Sequence, residues 1–335
     1  MERLLKLYKK HFGIEPEGCV LLPLSGSARK YYRMSPVPAI GCIGTDFKEN
    51  RAFFAIDAAM RAEGIAAPEI FAVSDDGMLY LQEDLGDVQL FELLKPSIAR
   101  GEFSEQEKAL LRGTLATLPA IQFGVGKGLD WGVCFPDREF NARMIDFDLN
   151  YFKYCYLKES GVAFDEIALQ DDFDRLRADA LAPFGGTFMY RDFQARNIMV
   201  KDGRPCFIDF QGGRRGPLQY DLASFLLNAG THFPKALREE LQDVYIQALA
   251  EFTPVKPQEF AERYRIISLV RLLQEFGAYG FRGLIEKKRL FIDCIPFAQK
   301  ILGEVLQEPL PRYPHLMQTL LKVSADEGGI CRNID

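Results

Sequence analysis

The chain has 335 residues, 48% hydrophobic and 26% charged, with 41 Lys and Arg against 47 Asp and Glu for a formal net charge of −6. That length allows two domains or two lobes, each with a sizeable core, and the composition is that of an ordinary soluble globular protein. No basic footprint marks a nucleic-acid partner, and no window approaches 18 uninterrupted apolar residues, so no nucleic acid and no membrane partner are expected.

The opening stretch "MERLLKLYKKHFGIEPEG" spaces its leucines helically around no continuous apolar core, which predicts an amphipathic helix rather than a signal peptide. Residues 19–34, "CVLLPLSGSARKYYRM", predict strand, tight turn at "SGS" and strand, and "VPAIGCI" at 37–43 predicts a third strand. Asp46 as N-cap, Glu49 three residues on and Gly64 as stop predict a helix over "DFKENRAFFAIDAAMRAEG". "PEIFAVS" and "MLYLQEDLG", joined by "DDG", predict a hairpin. The first 85 or so residues thus predict a five-stranded antiparallel sheet with one inserted helix. From Leu90 onward helical patterns dominate, at 88–99, 104–123, 137–159, 170–182, 219–229, 235–252, 257–285 and 288–306. Only "NIMV" and "CFIDF" interrupt them as strands, and "EPLPRYP" marks a loop before a last short helix. The fold class expected is α+β, a small sheet lobe followed by a large helical one.

Seven cysteines without a C-x-x-C predict buried free thiols in a reducing compartment, so a cytoplasmic location is expected. Three histidines far apart in sequence (His11, His232, His315) argue against a zinc site.

The two late strands sit in "MYRDFQARNIMVKDGRPCFIDFQGGRRGP", Met189 to Pro217. Asp192 and Asn197 form D-x-x-x-x-N, and Asp209 follows at the end of an apolar strand. Phosphoryl transfer needs a carboxylate beside the attacking hydroxyl, and an asparagine carbonyl with a second carboxylate to hold Mg²⁺ against the ATP phosphates. Tyr190 reads as a core residue whose hydroxyl bonds a backbone carbonyl.

"YRDFQARN" and "FIDFQGGRRGPLQYDLASFL" resemble the aminoglycoside phosphotransferase/choline kinase superfamily. They are most similar to its branch of anomeric N-acetylmuramate and N-acetylglucosamine kinases of cell-wall recycling. The resemblance implies a bilobal protein-kinase-like fold, with a nucleotide lobe at 1–85 and a helical lobe at 86–335 carrying the catalytic loop and acceptor site. It implies Asp192 as catalytic base, Asn197 and Asp209 as Mg²⁺ ligands, and a structural role for Asp221 in "YDLAS". "LSGSARKYYRM" is similar to the family's phosphate-covering hairpin, which implies phosphate contacts from Ser25, Gly26, Ser27 and Lys30. Arg29 and Arg33 are further sources of positive charge there. "YLQEDLGD" resembles the interlobe hinge, whose backbone from Gln82 through Glu83 and Asp84 to Leu85 would face adenine.

Two departures stand out. Kinases of this shape carry a lysine on the third strand paired to a helix glutamate; Glu49 matches the glutamate, but "PAIGCIGTD" has no lysine. Gln211 stands where protein kinases have the glycine of D-F-G, so no mobile activation segment is implied. For the acceptor, Gln194, Arg196, Gln211 and Arg214 are candidate hydroxyl-binding side chains, and the resemblance adds Asp148. The expected function is an ATP- and Mg²⁺-dependent small-molecule kinase acting on an amino-sugar anomeric hydroxyl. A choline/ethanolamine or aminoglycoside kinase, and a catalytically silent nucleotide-binding pseudokinase, remain as alternatives.

Overall fold

The computed structural model describes residues 1–23, 29–326 and 329. Its contacts divide the chain into two compact units. Unit 1 gathers Met1–Leu94, Glu105–Glu139 and Gly186–Arg215; unit 2 gathers Lys95–Ser104, Phe140–Gly185 and Gly216–Asp335.

Unit 1 is built on a five-stranded antiparallel sheet in the order β1-β2-β3-β5-β4. The strands are β1 (Gly18–Leu21), β2 (Lys30–Ser35), β3 (Ala39–Ile43), β4 (Ile70–Val73) and β5 (Leu79–Glu83). Strand alternation sends successive side chains to opposite faces. One face carries Tyr32, Met34, Ala39, Leu79 and Leu81 and buries them under Leu4 and Tyr8 of α1 (Glu2–Phe12). Gly41 is needed there, because a Cβ would lie 2.8 Å from Met34 Sδ and 2.9 Å from a Leu4 methyl. On the other face Tyr31 pairs across to Cys42, and Cys42 to Tyr80, in one row over three strands. Here α2 (Phe47–Ala62) packs, with Phe53 and Phe54 at 5.4 and 5.2 Å from the Tyr80 ring. Asp46 caps α2 as expected, its Oδ1 accepting from Lys48 N and Glu49 N.

The rest of unit 1 includes two separate two-stranded ladders. The hairpin β7 (Ile198–Lys201)–β8 (Arg204–Phe207) turns at Asp202 and Gly203, both at positive φ. Its backbone joins the segments around the sheet: Val200 N donates to Val88 O at 2.7 Å and Phe207 N to Ala66 O at 2.9 Å. Phe210 stacks on Phe53 at 4.9 Å. A short ladder not foreseen from sequence pairs β6 (Phe188–Met189) with β9 (Arg214–Arg215). It closes only because residue 213 is glycine, where a Cβ would fall 2.1 Å from Phe188 Cζ.

The remaining helices are α3 (Leu90–Arg100), α4 (Glu105–Gly128), α5 (Ala142–Tyr151), α6 (Lys158–Ser160), α7 (Glu166–Ala180), α8 (Gln219–Leu226), α9 (Lys235–Leu249), α10 (Pro257–Ala278), α11 (Arg289–Ile292), α12 (Ile295–Val305) and α13 (Pro314–Ser324). In unit 2 α10 is central, packed by α5, α7, α8 and α12. Two π-helical stretches, Phe152–Leu157 after α5 and Tyr279–Ile285 after α10, lie against each other; a Cβ on Gly280 would sit 2.2 Å from the Cys155 carbonyl oxygen. Asp221 is fully buried in the first turn of α8.

Several helix bounds differ from the sequence expectation, three of them with a clear local cause. The helix expected from 137 starts at Ala142, because Asn141 caps Met144 N and the chain before it bridges Glu139 to Arg215. The helix expected from 170 starts at Glu166, because Asp165 accepts from Ile167 N and Ala168 N at 2.9 Å. The helix expected over 288–306 breaks into α11 and α12 just ahead of Pro296. The six described cysteines are free thiols, and no helix among the described residues is long and apolar enough to cross a membrane.

Candidate active site

The motif residues converge where the β7–β8 hairpin opens. Asp192 is exposed in the loop after β6, a loop that starts at Arg191 with φ 79°. One tight turn later Asn197 N donates to Gln194 O at 2.8 Å, and Asn197 Nδ2 donates to Asp192 O at 2.9 Å. That bond fixes the amide and leaves its Oδ1 as the acceptor. Asn197 O in turn receives Ile208 N at 3.1 Å, which brings Asp209 alongside. Asp209 leaves β8 at φ 65°, a conformation that a non-glycine residue keeps only when its surroundings enforce it.

Tyr190 helps to enforce it. Fully buried, it donates its hydroxyl to Ile208 O at 2.5 Å and packs against Phe193 and Phe210. The Asp209 carboxylate accepts from Gln211 Nε2 at 2.7 Å and opens into the cleft. Loss of surrounding water pushes its pKa up; the Gln211 bond pulls it down, the Asp192 charge raises it again and Arg29 lowers it. A dication would relieve that strain. Two oxygen ligands at the end of a rigid hairpin suit Mg²⁺, which keeps several waters and takes further oxygens from substrate phosphates. No cluster of three His, Cys, Asp or Glu suited to a tighter metal occurs among the described residues.

A cleft of about 550 Å³ runs from this corner along the sheet. Ile40, Met199 and Ile208 give it apolar walls, and Gln82, Glu83, Asp84 and Leu85 all line it. Two ion pairs hold that segment. Arg33 of β2 reaches Asp84 (Nε–Oδ2 2.7 Å, Nη2–Oδ1 3.0 Å), Asp87 at 2.5 Å and Gly86 O at 3.1 Å. Lys201 of β7 pairs with Glu83, whose other oxygen accepts from Glu69 N.

Other sequence candidates distribute unevenly. Ser25, Gly26 and Ser27 lie outside the described residues. Arg196 and Gln211 line the cleft, Arg196 with its guanidinium over the Phe91 ring at 5.7 Å. Gln194 is half-buried in the turn. Arg214 is not at the cleft: it is buried, with its guanidinium on the carbonyls of Gly212 and Phe135. Asp148 belongs to unit 2, buried on α5. Lys30 is exposed on the α1 side of β2, away from the cleft. The cation that sits next to Glu49 is Arg29, with Nη2 3.1 Å from Glu49 Oε1 and no exposed side-chain area. The signal was present in "RKYYR": alternation from the cleft-lining Tyr31 and Arg33 puts Arg29 on their face and Lys30 on the other.

A sheet carrying a buried cation–glutamate pair, a cleft beside it and an aspartate–asparagine–aspartate set on a hairpin define a protein-kinase-like phosphotransferase. Residues 37–260 match the phosphotransferase enzyme family, APH, and the chain belongs to that family. The N-acetylmuramate/N-acetylglucosamine kinase of Pseudomonas putida is 24% identical over 325 residues, covering 91% of this chain and 89% of that protein. A kinase of the same name from Neisseria meningitidis serogroup B is 32% identical over 198 residues, 56% of each chain. Among solved structures, a spectinomycin phosphotransferase in complex with ADP and spectinomycin covers 98% of each chain with a TM-score of 0.57 at 13% identity.

Proposed function

We propose that this phosphotransferase moves the γ-phosphoryl group of ATP to the anomeric hydroxyl of an amino sugar of the N-acetylmuramate/N-acetylglucosamine type, in cell-wall recycling. The observation that carries the reaction is the locked Asn197 amide beside Asp192 and Asp209, which supplies one exposed carboxylate and two oxygen ligands in a few residues. Asp192 orients the acceptor hydroxyl and takes its proton; a hemiacetal hydroxyl is more acidic than an ordinary alcohol, which eases that step. Asn197 and Asp209 would hold Mg²⁺, which when bound neutralises charge on the phosphates. Adenine would lie against the backbone of Gln82–Leu85. Arg196 and Gln211 at the cleft, with Gln194, are the side chains proposed to bind the sugar. In this reading residues 1–85 are the nucleotide lobe and 86–335 the catalytic and acceptor lobe. The names of the two curated relatives support the choice of sugar.

The test is ADP release from Mg·ATP with N-acetylmuramate, N-acetylglucosamine, choline, ethanolamine and kanamycin as acceptors. Turnover with an amino sugar that disappears in Asp192→Asn is the expected result. Turnover with choline or kanamycin alone would move the chain to another branch of its family, and nucleotide binding without turnover on any acceptor would make it a silent nucleotide binder.

A further inference from the structure

We infer that Arg29 is the cation that meets the nucleotide's phosphate charge in this chain, standing just ahead of β2 in place of a third-strand lysine. The inference rests on the nucleotide reading of the cleft. Three basic residues of the hairpin could serve, and their placement separates them. Lys30 is exposed on the face that packs against α1. Arg33 is committed at the other end of the cleft, where Asp84, Asp87 and the Gly86 carbonyl share its guanidinium. Arg29 alone among them lies beside the glutamate of α2.

Its side chain is fixed in place by charged and polar neighbours. Burying a guanidinium is costly unless it is paired and hydrogen-bonded. Here the Arg29 side chain is wholly enclosed, at 3.1 Å from Glu49 and 3.5 Å from the Tyr31 hydroxyl. Burial works against its charge, but Tyr80, Tyr31 and Glu49 together hold it protonated. Glu49 is held in turn by the capped first turn of α2.

The third strand shows why the cation had to come from the residue ahead of β2. Cys42, the β3 residue that faces this cluster, lies in the fields of Arg29 and Glu49, with its thiol pushed up to about 11 chiefly by burial. It is therefore neutral at physiological pH and brings no charge. Tyr31 is its cross-strand partner, and Arg29 stands two residues before Tyr31 on the same face. A longer arginine reaching in from just ahead of the neighbouring strand covers the position that a cysteine leaves without charge.

Calorimetric titration of Mg·ATP and of adenosine, on the full chain, tests the assignment. Arg29→Met is expected to weaken Mg·ATP by at least about 30-fold, as loss of one partner of a buried charge pair does. It should leave adenosine binding unchanged, and Arg29→Lys should keep most of the Mg·ATP affinity. The double variant Arg29→Met with Cys42→Lys, which returns a cation to the third strand, should recover a large part of it. Wild-type-like Mg·ATP binding in Arg29→Met overturns the inference. So does an equal loss of adenosine, which would make Arg29 a support of the sheet only. Should Arg29→Met not fold, Arg29→Gln with Glu49→Gln removes both charges together and the same two titrations decide. A wild-type chain that binds neither ligand overturns the nucleotide reading itself; one that binds both while Arg29→Met binds equally well overturns only the role of Arg29.

Discussion

The two units treat their carboxylates in opposite ways. In unit 2, Asp172, Asp179 and Glu275 are each engaged by protein donors. Asp172 accepts from Leu316 N at 2.8 Å and from Arg175; Asp179 takes Arg312 through two nitrogens at 2.8 Å and the Tyr313 hydroxyl at 2.5 Å; Glu275 takes Asn228 and the Tyr279 hydroxyl. Each takes at least one bond from a segment distant in sequence, which is structural work. In unit 1, Asp192 is exposed and the Asp209 carboxylate, which accepts one bond from Gln211 Nε2, lines the cleft, both on segments that leave short strands. A carboxylate with its acceptors used up holds a fold; one kept open by a rigid frame is available for chemistry.

That contrast can be broken at several points. The largest effect expected is Asp192→Asn, which should lower kcat by about 10³-fold, within the usual range for a lost general base. Its thermal midpoint should match wild type, and a fall in stability equal to that of a core mutation would erase the distinction. Asp57 sharpens the contrast because it belongs to neither class. It is 3% exposed on α2, and one oxygen has no hydrogen-bond partner. Burial lifts its pKa to about 7, with Arg61 opposing and Glu69 adding.

Below about pH 4 folded and unfolded chains both hold this proton. Between about pH 4 and 7 the unfolded chain releases it first, so stability falls as pH rises through that window and levels off above it. Asp57→Asn should remove the decline and stabilise the protein at pH 8 by up to about 4 kcal/mol, with little change at pH 4. Denaturant midpoints at the two pH values check this, and equal gains at both would contradict it.

Asp172→Ala strips Leu316 N and Arg175 of their acceptor and should cost about 1–3 kcal/mol. Specific activity of the folded protein should not move; a loss of kcat would mean that Asp172 also serves the reaction. The smallest effect is expected from Tyr190→Phe, which loses the bond to Ile208 O. About 1 kcal/mol of stability should go, with a modest drop in kcat as Asp209 loosens, read from the same unfolding curves and from ADP release.

The sheet, its order of strands and the α2 cap were legible because alternation, turn residues and a capping aspartate are local signals. The open triad was legible for a related reason: short apolar strands fix the spacing of Asp192, Asn197 and Asp209 in the sequence itself. Arg29 was harder, since choosing it over Lys30 and Arg33 needs both strand register and the partners that occupy Arg33. The grip of Arg33 on Asp84 and Asp87 joins positions about 50 residues apart and leaves no trace in either segment. The π-helical stretches were invisible for another reason. Their cause is the close approach of Gly277 and Gly280 to the chain at Phe152 and Cys155, a tertiary contact that helical periodicity does not encode.

The β7–β8 hairpin has a consequence for the order in which the protein is made. The five strands of the sheet have all been synthesised by Glu83, yet the carbonyls of Ala66 and Val88 receive their donors only when Phe207 and Val200 emerge. Between those points the ribosome delivers Lys95–Ser104 and Phe140–Gly185, which belong to the other unit. The nascent sheet therefore waits, unfinished, through more than a hundred residues, about half of them belonging to the other unit. Such long-range closure slows folding and prolongs exposure of apolar surface. Pausing translation near Gly185 is the point at which this chain should lean hardest on chaperones.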